Sequence, residues 1–191
     1  TQEMQRPGSL SDAERLERAM LAVGVRFRRP RLLRQALTHL SYVYERSRSV
    51  EAAIAESNER LEFLGDAVLE LLVSEFLYRR FPRASEGELT AYRAALVRTP
   101  TLARWAQRLG LADLLYLGRG EQPRPDRPVR ERILAGAFEA ILAAIYLDRG
   151  LRVARSFLQR LLEEEAENLI ALGQNENYKG RLQELTQEYL H

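Results

Sequence analysis

Three carboxylates stand in close register near the first third of this chain. Glu59, Glu62 and Asp66 open a helical pattern that runs to about Arg80. With roughly 100° between successive residues, they fall within about 60° of one another. Leu61, Leu64, Val68, Leu71 and Leu72 take the opposite side. The expected helix buries one face and presents a column of acids on the other. Like charges at this spacing repel by roughly a few tenths of a kcal/mol per pair. A hard divalent cation bound through oxygen would reverse that repulsion. A solvated acidic face is the other reading of the same pattern. Glu139 adds to the first reading, because it sits among Phe138, Ile141 and Leu142. An unpaired carboxylate among apolar neighbours is costly, so Glu139 needs a partner or a metal.

Composition narrows the chemistry. The chain has 191 residues, no cysteine and two histidines, His39 and His191. Disulfides and thiolate sites are excluded, and a metal here must be held by oxygen. Hydrophobic residues make up 46% and charged residues 29%, the proportions of a globular protein. No apolar run is long enough for a membrane span, and no signal peptide opens the chain. The net charge of +2 is mildly basic and by itself says little about nucleic acid. Lys179 is the sole lysine beside many arginines, a bias that a GC-rich genome would produce.

The elements that must position these acids read as helices throughout. Residues 1–9 form a loose leader. Ser11 and Glu14 match a capping box, and the helix they start stops near Gly24. Pro30 opens a second helix, with Leu33, Ala36, Leu37 and Leu40 facing inward, that continues through Tyr42. Residues 44–57 read as a loop. Pro82 ends the acid-bearing helix. Ser85 and Glu88 then make another capping box before a helix reaching about Arg98, so capping accounts for Glu88. Glu86, in the first turn of that helix, is either an acid favoured by the helix dipole or a member of the site. Thr99 and Pro100 cap and start the next helix, which Gly110 ends, with Trp105 in the core. Residues 119–130 are rich in proline and arginine and should form an exposed, mobile loop. Its arginines, Arg119, Arg124, Arg127 and Arg130, are phosphate contacts or solvated side chains. A strongly apolar helix over 129–149 carries Glu139, and an amphipathic one follows over 151–172. Residues 173–178 read as a linker.

The run Asn58-Glu59-Arg60-Leu61-Glu62-Phe63-Leu64-Gly65-Asp66 resembles the signature motif of the ribonuclease III family, endonucleases specific for double-stranded RNA. The segment from Ala36 to Tyr42 and the segment from Leu114 to Glu121 resemble two further landmarks of that family. Tyr178 to Gln187 resembles the opening of a double-stranded-RNA-binding domain, first helix only. The resemblance implies an all-α endonuclease domain over 1–172, a linker over 173–178 and a first-helix fragment over 179–191. It implies Glu62, Asp66 and Glu139 as ligands of Mg2+, directly or through water, with Mn2+ as a substitute. Asp66, Glu139, Glu59 and Glu86 are the implied catalytic acids. Phe63 is implied to plug into the other subunit of a homodimer, across a valley that holds the RNA duplex. Such an enzyme works in the cytoplasm on ribosomal and other structured precursors, without a membrane. It leaves 5′-phosphate and 3′-hydroxyl ends with short 3′ overhangs. The RNA-binding residues are not assigned. His39 is read as a hydrogen-bonding structural residue, and Asn58 and Arg60 as capping or pairing groups.

One position departs from the family pattern. Where the family places an aspartate three residues before Glu139, this chain has Gly136. The expected pair of acids one turn apart is reduced to one, and glycine inside a helix costs about 1 kcal/mol relative to alanine. A second function therefore stands beside the first: a protein of the same fold that binds double-stranded RNA without cutting it. Glu70 lies on the acidic face one turn beyond Asp66 and is read as a solvated or interface glutamate.

Overall fold

Two helices cross at the centre, and a small residue decides how close they come. In the computed structural model, which describes residues 10–47 and 49–188 with side chains as far as 168, helix α5 (Glu59–Arg80) packs along α8 (Glu131–Glu188). A Cβ at Gly65 would overlap the carbonyl group of Glu139. Only glycine allows the two backbones this approach. The remaining helices are α1 (Asp12–Val23), α2 (Pro30–Ala36), α3 (Leu40–Tyr44), α4 (Val50–Glu56), α6 (Glu86–Val97) and α7 (Thr99–Arg108). Among the described residues there are no strands, and the fold is all-α as the sequence implies. No described helix is long and apolar enough to cross a membrane.

The core is an aliphatic layer around α8. Leu134, Ile141, Leu142 and Ile145 are fully buried there, with Leu69, Val73 and Leu77 facing them from α5. Trp105 of α7, Phe138 and Phe157 form a row, with ring centroids 5.4 and 5.8 Å apart. The buried Trp105 donates its indole N–H to Glu165 at 3.3 Å, so its polar edge is satisfied.

Local signals set most of the ends. Ser11 Oγ accepts from the N–H of Glu14, and Glu14 accepts from the N–H of Ser11 at 2.8 Å. Ser85 and Glu88 repeat this reciprocal pair. Gly24 takes φ 70°, the left-handed conformation that closes α1. Gly150, at φ 81°, kinks α8 where the sequence separates two helices.

Four expectations need correction. The second helix does not continue through Tyr42. It ends at Ala36, and the chain is extended at Thr38, which bridges to Tyr116. His39 N–H donates to Tyr116 O at 3.0 Å, and Tyr116 N–H donates to Leu37 O at 2.9 Å. The loop over 44–57 contains α4, capped by Ser49 accepting from the N–H of Ala52 at 3.1 Å. Thr99 lies inside α7, and the extended Arg98 precedes it with no side-chain cap. Leu71, placed on the inner face, is 55% exposed, while Leu61, Val68 and Leu72 are buried as expected.

Helical backbone runs on through 173–178, the residues read as a linker, and as far as Glu188. The leader over 1–9 and the last three residues lie outside the described residues.

Candidate active site

The α5–α8 crossing puts the acids of one helix against the acid of the other. Asn58 anchors the start of α5 from a buried position. Its side chain donates to Ala36 O at 3.3 Å and its N–H donates to Thr38 O at 2.9 Å. It therefore ties α5 to the end of α2 instead of capping its own helix with its side chain. Two turns on, Gly65 presses on Glu139. Glu62 and Asp66 flank that contact in sequence.

The electrostatics show which acids the fold brings together. Burial, with the neighbouring charges of Glu62 and Asp66, pushes the Glu139 carboxyl up to about 7. Its side chain has no hydrogen-bond or ion-pair partner among the described residues. Burial also raises Glu62, Arg132 opposes that shift, and the charges of Glu59 and Asp66 add to it. Glu59, Glu62, Asp66 and Glu139 therefore form one mutually repelling set. Glu59 and Asp66 are exposed, Glu62 and Glu139 half-buried.

Glu62 is committed elsewhere in this state. It accepts from Arg132 Nη2 at 3.0 Å. Its carboxylate lies against Gly136, where an added Cβ would meet Glu62 Oε2 at 2.5 Å. Among the described residues no three acids or histidines are grouped ready to hold a metal ion. The donor chemistry nonetheless suits a hard cation. All donors are oxygens, and Glu139 is a carboxyl without a protein partner facing two other acids.

The other sequence candidates fall into place around this set. Glu86 is exposed in the first turn of α6. α6 runs back along α5, with the Tyr92 ring on Phe81 and Arg93 on Ser74. Glu86 therefore lies beyond the far end of α5, about 20 Å along the helix axis from Asp66. One chain does not bring it to the other acids. Glu70 is exposed and contributes to neither raised carboxyl. Phe63, between Glu62 and Asp66 in sequence, is 83% exposed. His39 is the N-cap of α3, accepting at Nδ1 from Ser41 N–H at 3.2 Å. Burial lowers its pKa, which favours the neutral acceptor. The loop over 119–130 is exposed almost throughout, and two of its arginines hold the loop itself. Arg130 pairs with Glu121, and Arg127 donates to Gly120 O.

Sequence reasoning missed Arg132, Asp148 and Tyr116. Arg132 lies two turns before Glu139 on the same helical face, so the periodicity alone could have flagged it. Asp148, buried, accepts from the N–H groups of Arg28 and Arg29 at 2.7 and 3.0 Å and from Arg29 Nε at 3.2 Å. Tyr116 donates its hydroxyl to Asp12 at 2.9 Å, with the guanidinium groups of Arg15 and Arg34 over its ring. Both contacts join residues about a hundred positions apart, and no local pattern announces them.

Comparison with known proteins agrees with this architecture. The family model described as Ribonuclease-III-like matches residues 29–165. The chain belongs to the ribonuclease-III-like family. Ribonuclease 3 of Dehalococcoides mccartyi (strain CBDB1) is 47% identical over 169 residues, covering 88% of this chain and 69% of that protein. Ribonuclease 3 of Roseiflexus sp. (strain RS-1) is 48% identical over 161 residues, covering 84% and 67%. The chain thus spans about two thirds of the length of these relatives. A nuclease-domain structure of ribonuclease III from Campylobacter jejuni superposes with a TM-score of 0.67 at 37% identity. It covers 78% of this chain and 96% of that one, and is described by flexibility in a region involved in dimer formation. Membership in this family makes the chain an endoribonuclease, and the α5–α8 crossing is the candidate place for its chemistry.

Proposed function

We propose that this chain cleaves double-stranded RNA endonucleolytically with Mg2+, as a homodimer, leaving 5′-phosphate and 3′-hydroxyl ends. The observation that carries the reading is the partnerless Glu139 carboxyl, held against Glu62 and Asp66 where α5 and α8 cross at Gly65. Glu62, Asp66 and Glu139 would hold the ion. When bound, it supplies charge neutralisation at the scissile phosphate and an activated water. The chain's own work is to fix these oxygens on two rigid helices and to keep Glu139 poised to lose its proton near neutral pH. Glu59, in the same electrostatic set, supports the site from its edge. Glu86 could serve only from a second copy of the chain, given its distance within one. Phe63, exposed beside the acids, is the natural anchor of that second copy.

The proposed substrate is a duplex because a wide, shallow A-form groove is read by shape and 2′-hydroxyl groups rather than by sequence. Structured precursors, ribosomal RNA among them, in the cytoplasm fit that mode. The division into an endonuclease domain over 1–172, a linker over 173–178 and a first-helix fragment of an RNA-binding domain over 179–191 belongs to the same proposal.

A second reading rests on Gly136 together with the Arg132–Glu62 pair. A site short of one acid, with another acid already paired, describes a protein that binds duplex RNA without cutting it. Gel assays on a labelled RNA duplex decide between them. Cutting with Mg2+ or Mn2+, lost in EDTA and in D66N, supports the nuclease. Retained duplex binding with no cutting under either metal, even in G136D, supports the binding protein.

A further inference from the structure

Arg132 stands where nothing in the proposed chemistry calls for a cation. It lies one turn before Gly136 on α8, and its guanidinium reaches across to Glu62 at 3.0 Å. The Arg132 side chain is 80% exposed and that of Glu62 is 25% exposed, so the arginine comes from solvent to a half-buried acid. Gly136 prepares the seat. Its missing Cβ leaves the space that the Glu62 carboxylate occupies against α8, 2.5 Å from where that Cβ would be. The same guanidinium offsets the repulsion at Glu139 as well as at Glu62.

We propose that Arg132 is a built-in counter-ion of the acid set, holding Glu62 against Gly136 and competing with a divalent cation for that carboxylate. The inference rests on the metal-binding reading of the acids and deepens it. Arg132 is a positioning residue: it acts through Glu62. A cation at these acids must displace an ion pair, so metal binding is weaker than the acids alone would give and is coupled to release of the arginine. Once released, the guanidinium remains beside the acids as a free cation, suited to a phosphate oxygen.

Calorimetric titration of the full chain with Mn2+ alone, without RNA, at pH 7.5 tests this directly. The comparison is between the wild-type protein, R132Q and R132K. Arg132 is largely solvated, so R132Q keeps the fold, which circular dichroism verifies. Exposed ion pairs are modest, so R132Q should bind Mn2+ about fivefold more tightly, while R132K, which keeps the charge, should stay near wild type. Mn2+ dissociation constants within about twofold for all three proteins would overturn the inference and leave the metal reading intact. Equal tightening in R132K and R132Q would also overturn it, because the charge would then not be the cause. Absence of Mn2+ binding in all three proteins would overturn the metal reading and this inference together.

Discussion

Replacing Glu139 with glutamine should stabilise the metal-free protein while ending its activity, and the gain should depend on pH. Glutamine keeps the shape of the side chain and removes its charge. In the folded chain the Glu139 carboxyl titrates at about 7, against an ordinary value of 4.5. The unfolded chain therefore ionises first, and the folded state resists ionisation. Stability is lost as pH rises from 4.5 towards 7, and the loss is complete above the folded value. The gap corresponds to about 3 kcal/mol at most, and solvent screening of the half-buried carboxyl lowers it to about 2 kcal/mol. E139Q does not titrate, so its advantage should be close to zero at pH 4 and reach about 2 kcal/mol by pH 8. Urea unfolding in EDTA, at matched protein concentration, measures it. The urea midpoint of E139Q should exceed that of wild type by about 1 M or more at pH 8. A difference that stays constant between pH 4 and pH 8 would refute the reasoning, because it would mean that Glu139 is not held near its neighbours as a strained acid. Mn2+ should reverse the order at pH 8 by favouring the ionised carboxyl of the wild-type protein alone.

Three other outcomes are expected. G65A forces a Cβ into the Glu139 carbonyl and should cost about 3 kcal/mol or more, seen as a lower thermal midpoint with loss of cleavage. D148A removes the acceptor of the Arg28 and Arg29 N–H groups and should cost about 3 kcal/mol in urea unfolding at pH 7. That contribution comes from a carboxyl held below its ordinary value by these hydrogen bonds and the Arg29 charge, against burial, which raises it; it is therefore present at neutral pH and fades as pH falls below about 4. F63R places a charge at the 83% exposed ring position and should give the mass of a single chain by light scattering while leaving the helical circular dichroism unchanged.

What could be read from the sequence was whatever short-range chemistry decides. The two capping boxes, the Gly24 stop and the acid column of α5 are fixed by residues within a turn or two of one another, and each appears in the structure. The expected helix through Tyr42 failed for the opposite reason. Its apolar spacing is helical, but Tyr116 claims the backbone of Leu37 and His39, and Asn58 claims the carbonyl of Thr38, both from far along the chain. Within the site, Glu59, Glu62 and Asp66 were recognisable by spacing and Glu139 as an acid among apolar neighbours, while its place beside them was implied only by the family resemblance. The Arg132–Glu62 pair was not, because it depends on the angle at which two helices cross. Gly136 was visible as a missing acid. That the vacated volume seats another acid's carboxylate became visible only in three dimensions.

At Gly65 the two main chains touch without an intervening side chain. A contact between side chains can relax by changing rotamer, whereas one between backbones yields only if a whole helix moves. Repulsion between the carboxylates on either side of this contact therefore pulls on the junction, and Phe138, the neighbour of Glu139 in the chain, ties it to the aromatic row with Trp105 and Phe157. Stiffness of the scaffold and reactivity of the pocket are in this way set by one mechanical joint, so substitutions deep in that row should be felt at the acids before they are felt at the surface.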